Sequence, residues 1–384
     1  MKPPSRLPAS GLNLHVYPSE MVQESRIFRI SRALQDTGLF GRTELVGIVG
    51  EQPEGVEPLD EGRVINRLGA DGATADRFGA RVRSRLGWFG SVVSHYACAD
   101  VAVVNAHSVW TLPSCWALAR RTGARLVYST HELETETPTM VGKKKRVAQL
   151  IERGLIRHCD LVTVVNTPIA DWYTQTYRIP RPVVARNIPV GTSREPVALR
   201  EQLDLGPDER LFIHTGRITD GRHVEQILAA FLDGPPDVHV VFLGDGELRA
   251  LVEQAASRCP RVHWLPPVPH NEVVAHVAAA DVSLCLIDTT TLSYRLSTPN
   301  KLFEALSART PVLCSDLPGA AEFIGPQLWP QWHVTDVARQ LPEALRRIDR
   351  PAIDHFRETL AGLPSWEDEV APLVSAYRRV VAET

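Results

Sequence analysis

The sequence predicts an α/β protein made of two halves, each built around a mainly parallel sheet. Short apolar runs typical of buried strands alternate with helical patterns along the whole chain. At 384 residues, the chain is long enough for two domains of ordinary size. A charged, proline-bearing segment, Val190–Asp208, interrupts the alternation, which then restarts. We therefore expect this segment to connect two domains.

In the first half, apolar runs such as Val101–Asn105 predict buried parallel strands. The predicted strands are Leu12–Tyr17, Leu45–Val49, Val101–Asn105, Arg125–Ser129, Leu161–Val165 and Val183–Arg186. The predicted helices are Glu24–Thr37, Asp76–Ala97, Leu112–Thr122, Gly142–His158 and Ile169–Thr176. Gly123 is suited to end the third of these helices, because glycine readily adopts the left-handed conformation. The acidic segment Glu51–Gly62 is predicted to be a loop.

The second half repeats the same alternation of strands and helices. Its predicted strands are Leu211–Thr215, Val238–Leu243, Val262–Leu265, Val282–Ile287 and Val312–Ser315. Its predicted helices are Val224–Phe231, Leu248–Ser257, Asn271–Ala279, Lys301–Ser307, Asp336–Ile348 and Pro364–Glu383. Parallel sheets bind ligands beyond the carboxyl ends of their strands, so two such halves predict a ligand cleft between them.

Composition argues against several classes of protein. Hydrophobic residues make up 44% of the chain and charged residues 23%, as in a globular protein rather than a disordered one. A net charge of −3 argues against binding nucleic acid through a basic surface. Met1–Ser10 lacks the apolar core of a signal peptide, and we find no apolar run long enough to span a membrane. Six cysteines without a C-x-x-C pair indicate a reducing compartment, and we expect a cytoplasmic protein. No D-x-D pair occurs, so we expect no bound metal.

The first candidate site follows a strand of the second half. Gly216 and Arg217 come directly after strand Leu211–Thr215, and Arg222 lies five residues further on. A glycine permits a tight turn there, and guanidinium groups beside a helix N-terminus suit a diphosphate. Two solvated arginines are the equally frequent alternative.

The second candidate site is the segment around Lys301. It is the only lysine after residue 145 in a chain that otherwise uses arginine, which indicates either a specific ammonium group or codon drift. Glu304 lies one helical turn later on the same face, where a carboxylate could bind two hydroxyls of a ribose. The alternative is a surface pair worth about 0.2–0.5 kcal/mol.

A third glycine-rich segment argues against a nicotinamide cofactor. Gly244-Asp245-Gly246 follows a predicted strand, but Arg249 stands where a dinucleotide fingerprint needs its third glycine.

Two histidines follow neighbouring strands of the first half. His107 and His131 each come one or two residues after a strand, so we expect both to point into the cleft. A single histidine is more often structural than catalytic, but two at the strand ends of one sheet favour a site. Glu132, Glu134 and Glu136 follow His131, without the H-x-x-x-H spacing of a metal site.

In this order and spacing, the motifs resemble the retaining glycosyltransferases with the two-Rossmann GT-B fold, specifically the family 4 group. The resemblance covers nearly the whole chain. The segments that carry it are Pro18–Leu34 (PSEMVQESRIFRISRAL), Val103–Leu118 (VVNAHSVWTLPSCWAL), Tyr128–Leu133 (YSTHEL), His214–Leu228, Val240–Leu251, Thr298–Ser315 (TPNKLFEALSARTPVLCS) and Ser365–Glu367.

The resemblance implies the roles of the domains. Residues 1–188 would form an acceptor-binding Rossmann-like domain, and residues 189–365 a nucleotide-sugar-binding one. The helix of residues 366–384 would pack back on the first domain. A sugar would pass from a nucleoside diphosphate to an acceptor hydroxyl with retention, without metal or another cofactor. The product would be a surface polysaccharide, a glycoconjugate or a glycosylated metabolite.

The resemblance also implies the roles of individual residues. The implied catalytic residues are His107, Arg217 and Lys301. The implied donor-binding residues are Gly216, Arg217, Arg222, Asn300, Lys301 and Glu304. The implied acceptor-side residues are Glu20, Arg26, His131 and Glu132.

Three positions depart from the family pattern. Leu296 replaces a glutamate that usually contacts the donor sugar, and Arg222 or His223 replaces a phosphate-binding lysine. Arg309 replaces a glycine, at a cost of about 1 kcal/mol if the helix ends there in left-handed geometry. Two alternatives therefore stay open: a nucleotide-sugar 2-epimerase of the same fold, and an inactive nucleotide-sugar-binding subunit.

The acceptor is a sugar, a lipid-linked molecule or a small molecule. Segment Gly142–Asp160 holds six basic residues and two acidic ones, together with an apolar stripe. The stripe consists of Val147, Leu150, Ile151, Leu155 and Ile156. An ordinary amphipathic helix is the preferred interpretation. In the alternative, Lys143–Arg146 contacts anionic lipid headgroups, in keeping with an excess of six basic residues in Met1–Ile188.

Overall fold

The computed structural model describes residues 11–22, 24–69, 78–190 and 195–382. The predictions for Met1–Ser10, for the start of helix Asp76–Ala97 and for the end of helix Pro364–Glu383 lie outside these residues. The chain forms two compact units. Unit 1 comprises Met1–Arg186 with Glu367–Thr384, and unit 2 comprises Asn187–Trp366.

Unit 1 is built on a sheet of eight strands within the described residues, in the order β3-β4-β2-β1-β5-β6-β7-β8. Its strands are β1 (Leu12–Val16), β2 (Arg42–Ile48), β3 (Gly55–Asp60), β4 (Arg63–Leu68), β5 (Val101–Ala106), β6 (Arg125–Ser129), β7 (Leu161–Val164) and β8 (Val183–Val184). Its helices are α1 (Ser25–Gln35), α2 (Phe78–Tyr96), α3 (Leu112–Thr122), α4 (Gly142–Leu155) and α5 (Thr167–Tyr177). The predicted parallel α/β class is confirmed for this unit.

The central strands β1 and β5 mark the point where the strand order changes direction. From β1 the chain goes to β2 on one side, and from β5 it goes to β6 on the other. The loops that leave the two carboxyl ends therefore diverge, and ligands of open α/β sheets bind at such a point.

The loop predicted for Glu51–Gly62 is wrong. This segment contains β3, an exposed edge strand that pairs antiparallel with β4. Its acidic residues make ion pairs with the neighbouring strand, such as Glu57 with Arg67 at 2.6 Å. An edge strand needs backbone pairing and only one covered face, so its polar sequence concealed it.

Helix α4 buries a carboxylate and leaves the first part of its apolar stripe exposed. Glu152 is fully buried and accepts hydrogen bonds from the hydroxyls of three tyrosines. They are Tyr128, Tyr173 and Tyr177. In contrast, Val147 is 47% exposed and Leu150 71% exposed. The exposed basic start agrees with the predicted amphipathic helix, but its inward face carries Glu152, whose burial three phenols compensate.

The last helix, α16 (Trp366–Ala382), returns the chain to unit 1. Its Glu369 accepts a hydrogen bond from the backbone NH of Arg186 at 2.8 Å. Its Tyr377 donates from the phenol to the side-chain oxygen of Asn105 in β5. The helix thereby contacts the centre of the sheet.

Unit 2 has a six-stranded parallel sheet within the described residues, in the order β11-β10-β9-β12-β13-β14. Its strands are β9 (Arg210–Thr215), β10 (Val238–Leu243), β11 (Val262–Leu265), β12 (Val282–Cys285), β13 (Val312–Ser315) and β14 (His333–Val334). Its helices are α6 (Leu199–Gln202), α7 (Val224–Leu232), α8 (Arg249–Ala256), α9 (Val273–Ala278), α10 (Leu292–Arg295), α11 (Asn300–Ala308), α12 (Pro318–Ile324), α13 (Trp329–Trp332), α14 (Val337–Arg347) and α15 (Arg350–Thr359).

Several short elements of unit 2 were not predicted. The helices α10, α12 and α13 and the two-residue strand β14 give weak periodic signals at their lengths, whereas the ten-residue helix α15 was missed in spite of its length. Part of the predicted connection Val190–Asp208 is also integral to unit 2, because it contains α6, whose Leu199 is fully buried in the core of this unit.

Arg309 ends α11 in left-handed geometry, with φ of 55° and ψ of 29°. Because the helix ends in left-handed geometry, the predicted cost of about 1 kcal/mol for arginine relative to glycine applies here. Its guanidinium donates to the carbonyl of Arg357 at 3.1 Å, which offsets part of that cost. No described helix is both long and apolar enough to cross a membrane.

Candidate functional site

Two glycine-bearing loops meet at the carboxyl ends of β9 and β10. The backbone NH of Gly216 donates to Leu243 at 2.8 Å, and that of Ile218 donates to Asp245 at 2.9 Å. A Cβ atom on Gly244 would lie 1.9 Å from the carbonyl oxygen of Gly216, so only glycine permits this approach. The contact fixes the Gly216–Arg217 turn, which gives a structural reason for glycine at position 244.

Lys301 lies in the first turn of α11 and is buried beside β9. Its Nζ is 2.9 Å from Nε2 of His214. Burial is the main cause that lowers the pKa of Lys301, to about 7, and the positive charge of Arg222 adds to it. Burial and the nearby Lys301 hold the pKa of His214 well below its usual range, so His214 is neutral and only one of its two ring nitrogens, 2.9 and 3.4 Å from Nζ, can accept from the ammonium.

His214 was missed as a site residue in the sequence. The signal that could have found it is a polar ring directly after the apolar residues Leu211–Ile213 of a predicted strand. Its ring also lies 3.3 Å from the carbonyl of Arg217. His214 therefore contacts both Lys301 and the turn that carries Arg217.

Glu304 lies one turn after Lys301 and is also buried. Its Oε2 accepts a hydrogen bond from the hydroxyl of Thr215 at 3.2 Å. Lys301 and Glu304 of α11 thus both face the carboxyl end of β9. They are buried and do not form the solvated surface pair considered as the alternative.

The arginines around this edge differ in exposure. Arg217 is exposed, and its guanidinium has no ion-pair partner among the described residues. The guanidinium of Arg222 lies 5.0 Å from the ring centroid of Tyr294 and donates to the carbonyl of Gly221. Asn300, at the exposed start of α11, accepts from the amide of Asn187 at 2.9 Å.

Together, these residues bring an ammonium and two guanidinium groups to the carboxyl end of β9, which we call the anion-binding edge after the ligand predicted for it. It combines Gly216, Arg217, Arg222, Asn300 and Lys301 with the neutral His214 and the carboxylate of Glu304. All six residues predicted to bind the donor lie on the loops and helices that surround this edge. Their binding roles stay predictions.

In unit 1, His107 and His131 lie next to each other beyond the ends of β5 and β6. His107 Nδ1 lies 3.0 Å from His131 Nε2, and His107 Nε2 lies 2.8 Å from Nδ1 of His15. His107 is 1% exposed, with both ring nitrogens engaged by other histidines. A ligand could bond to His107 only by displacing one of them, so its predicted catalytic role is indirect in this geometry.

A buried carboxyl group lies beside these histidines. Glu134 accepts hydrogen bonds from the Ser108 hydroxyl and the Val109 backbone NH, both at 2.9 Å, while its other oxygen is buried without a partner among the described residues. Burial raises the pKa of Glu134 to about 8, although the two hydrogen bonds oppose that effect.

The remaining acceptor-side predictions make contacts within unit 1. The Arg26 guanidinium donates to the backbone carbonyls of Ala185 and Val164. Glu20 accepts from the backbone NH of Gln52 at 2.9 Å. Glu132 is exposed. Their acceptor roles stay predictions. Among the described residues, no group of three His, Cys, Asp or Glu side chains could hold a metal ion.

Two family models match the chain. The model described as Glycosyl transferase 4-like domain matches residues 23–191, and that described as Glycosyl transferases group 1 matches residues 209–348. A Bacillus subtilis (strain 168) protein named as the teichuronic acid biosynthesis glycosyltransferase TuaC is 27% identical over 127 residues. That match spans 33% of this chain and 30% of TuaC, so the alignment covers less than a third of that relative.

Two solved structures share the fold over nearly the whole chain. A sucrose-phosphate synthase from Thermosynechococcus elongatus has a TM-score of 0.75 and 18% identity, covering 97% of this chain and 100% of its own. Anabaena HepE in complex with UDP-glucose has a TM-score of 0.66 and 15% identity, covering 97% and 98%. With the predicted α/β class confirmed, the chain belongs to the group 1 and 4-like glycosyltransferases of the GT-B fold.

Proposed function

We propose that this protein transfers a glycosyl group from a nucleoside-diphosphate sugar to an acceptor hydroxyl, with retention of the anomeric configuration. The observation that carries the proposal is the anion-binding edge at β9 in unit 2. There a buried ammonium, two guanidinium groups and the start of a helix face the turn at Gly216. Retention is supported by the resemblance of the Thr298–Ser315 segment to the donor motif of retaining enzymes.

The diphosphate gains negative charge as the bond to the sugar breaks. Fixed cations lower the energy of that state without moving, because the fold has already placed them. Arg217 is the exposed cation, and Lys301 is the buried one. Glu304 accepts from Thr215 and is the candidate to bind the ribose hydroxyls, while unit 1 binds the acceptor.

The test begins with a panel of nucleotide sugars in a thermal shift assay, followed by turnover with each sugar that stabilises the protein. We expect transfer to an acceptor hydroxyl, and the anomeric proton of the product reports retention. Epimerisation of the donor would favour the 2-epimerase alternative. Binding without turnover against any acceptor would favour the inactive subunit, for which the loss of a polar group at Leu296 gives some reason.

The Arg217→Ala variant tests the phosphate contact. A charge-assisted hydrogen bond is worth roughly 1.5–3 kcal/mol, so the dissociation constant for the nucleoside diphosphate should rise about tenfold or more. Isothermal titration calorimetry measures it. Arg339→Ala is the control, because Arg339 is an exposed arginine of unit 2 on α14. Unchanged affinity in Arg217→Ala would remove Arg217 from the site.

The low pKa of Lys301 predicts how nucleotide affinity depends on pH. An anionic diphosphate favours the charged ammonium, and the unliganded lysine loses its proton above a pKa of about 7. Affinity should therefore fall as pH rises above 7, approaching about tenfold per pH unit, with one proton taken up on binding. Calorimetry at pH 8 in two buffers of different ionisation enthalpy measures this uptake.

The Lys301→Met variant is the matched comparison for this pH dependence. It should bind the nucleoside diphosphate more weakly at pH 6 and take up no proton at pH 8. Proton uptake that persists in Lys301→Met would assign the effect to another group.

We also propose that transfer needs no metal. The fixed cations of unit 2 supply the positive charge that a bound divalent ion supplies in other transferases. Transfer rates should be unchanged in excess EDTA. Loss of activity in EDTA, restored by Mn²⁺ or Mg²⁺, would contradict this proposal.

A second proposal concerns location: helix α4 contacts an anionic membrane surface, where a lipid-linked acceptor is held. The observation that favours it is the exposed face of α4. Val147 and Leu150 lie on the same helix as the exposed Lys143, Lys144 and Arg146. Exposed apolar groups flanked by basic ones suit a membrane interface, with about 1 kcal/mol from each cation.

Vesicle sedimentation tests the contact. The protein should bind vesicles that contain phosphatidylglycerol and not pure phosphatidylcholine. The double variant Lys143→Gln/Lys144→Gln should bind roughly 20-fold or more weakly, since two cations near the surface contribute about 2 kcal/mol. Arg378→Gln/Arg379→Gln is the control, because it neutralises two exposed arginines on α16 of the same unit. Equal weakening in both double variants would show that only overall charge matters.

A further inference from the structure

Three histidines on neighbouring strands of unit 1 form a continuous row of hydrogen bonds, which we call the histidine chain. His15 is in β1, His107 follows β5 and His131 follows β6. Nδ1 of His15 lies 2.8 Å from Nε2 of His107, whose Nδ1 lies 3.0 Å from Nε2 of His131. His15 and His107 are buried, and His131 is half-buried. Each link therefore joins an Nδ1 to the next Nε2.

A backbone carbonyl determines the direction in which these hydrogen bonds run. The carbonyl oxygen of Leu14 can only accept, so the Asn105 atom 2.8 Å from it is the amide nitrogen. The same nitrogen is 2.8 Å from the side chain of Asn13, which must present its oxygen there. Asn13 therefore turns its NH₂ group toward Nε2 of His15, at 3.1 Å.

The other side of Asn105 agrees with this orientation. Its side-chain oxygen accepts from the phenol of Tyr377, so both ends of the amide are satisfied. The second proton of the Asn13 amide points to the hydroxyl of Thr43 at 3.5 Å. A flipped Asn105 would place its oxygen against the Leu14 oxygen, two acceptors in a buried position.

The tautomer of each histidine follows from the Asn13 amide. An NH₂ group cannot accept, so Nε2 of His15 is unprotonated and its ring proton is on Nδ1. That Nδ1–H donates to His107, which repeats the arrangement toward His131. Each Nε2 already accepts a hydrogen bond, so each ring resists a second proton. Burial also lowers the pKa of His15 and of His131 to about 3 each.

We propose that the histidine chain holds Nδ1–H of His131 as a permanent hydrogen-bond donor to an oxygen of the sugar-bearing substrate that unit 1 binds. This inference rests on the proposed function. Nδ1 of His131 has no partner among the described residues. The ring of Tyr17 stacks on His131 at 5.4 Å and 24°, which keeps the plane of the imidazole fixed.

The chemistry of this donor is limited. A neutral ring with its proton on Nδ1 and its Nε2 engaged can donate to a hydroxyl or a sugar-ring oxygen, but it cannot remove a proton. His131 is thus a binding residue. His15, His107 and Asn13 are positioning residues, which act by fixing the tautomer and not by touching the substrate.

The first test is a spectrum of the free protein. Long-range ¹H–¹⁵N correlation of ¹⁵N-histidine-labelled protein distinguishes protonated from unprotonated ring nitrogens. Among the 13 histidines, we expect His15, His107 and His131 to be neutral with the proton on Nδ1 from pH 5 to pH 8. Signals are assigned by their loss in His15→Gln, His107→Gln and His131→Gln. A proton on Nε2 in any of the three would overturn the proposal.

The second test changes the residue that sets the direction. Asn13→Asp places an acceptor where the amide donated, so Nε2 of His15 becomes protonated. Either the chain reverses and His131 loses its Nδ1 proton, or His15 becomes charged and the direction is kept. Asn166→Asp is the matched control, because Asn166 caps α5 by accepting from Ile169, a role that aspartate also fills.

Transfer kinetics with the donor and acceptor pair found in the turnover assay complete the test. If His131 loses its Nδ1 proton in Asn13→Asp, kcat/KM should fall about tenfold or more, with nucleoside-diphosphate affinity within twofold. If His131 keeps that proton, kcat/KM should match that of Asn166→Asp. Two results would overturn the role of His131. One is an unchanged kcat/KM although His131 has lost its Nδ1 proton, and the other is a lowered kcat/KM although His131 has kept it. Absence of transfer in the unmodified protein would refute the proposed function and the substrate of His131, whereas the spectrum still decides the tautomers.

Discussion

The contact between Lys301 and His214 determines the electrostatics of unit 2. An ammonium group buried 2.9 Å from a neutral ring is poorly compensated, and its lowered pKa records that cost. Two further elements surround this buried ammonium group. The turn at Gly216 leaves open the space beside the ammonium, and α11 holds Lys301 and Glu304 on the face that meets β9. Glu304 offsets part of this cost, and a bound diphosphate would add further negative charge beside the ammonium.

In unit 1, the buried polar groups at the strand ends are neutral and hydrogen-bonded to each other. Whereas unit 2 buries an ammonium group, the carboxyl ends of β1, β5 and β6 hold histidines that hydrogen-bond to each other. Asn13, Asn105 and the histidine chain use nearly every donor and acceptor they carry. Such a network is rigid, because changing any member leaves a buried atom unpaired. The two units thereby provide different surfaces: a cationic one and a neutral one with a fixed donor.

Helix α4 shows how a buried polar residue redirects an amphipathic helix. Of the apolar stripe from Val147 to Ile156, only its end is fully buried, whereas Glu152 faces inward with three tyrosine hydroxyls around it. Consequently Val147 and Leu150 are left outside beside the basic start of the helix. The tyrosines come from β6 and α5, so no local sequence pattern reveals them.

The sequence by itself determined the α/β class, most of the longer elements and the family, because alternating apolar runs and motif order are local properties. It also predicted Gly216, Arg217, Lys301 and Glu304 as candidate donor-binding residues, since each stands at a fixed offset from a strand end or a helix start. Only the tertiary structure decided the role of His214, the engagement of both nitrogens of His107 and the inward face of α4. Each of these depends on a partner far away in the chain, such as Lys301 for His214 or His15 for His107. Hydrogen-bond partners brought together by folding leave no periodic trace in the sequence.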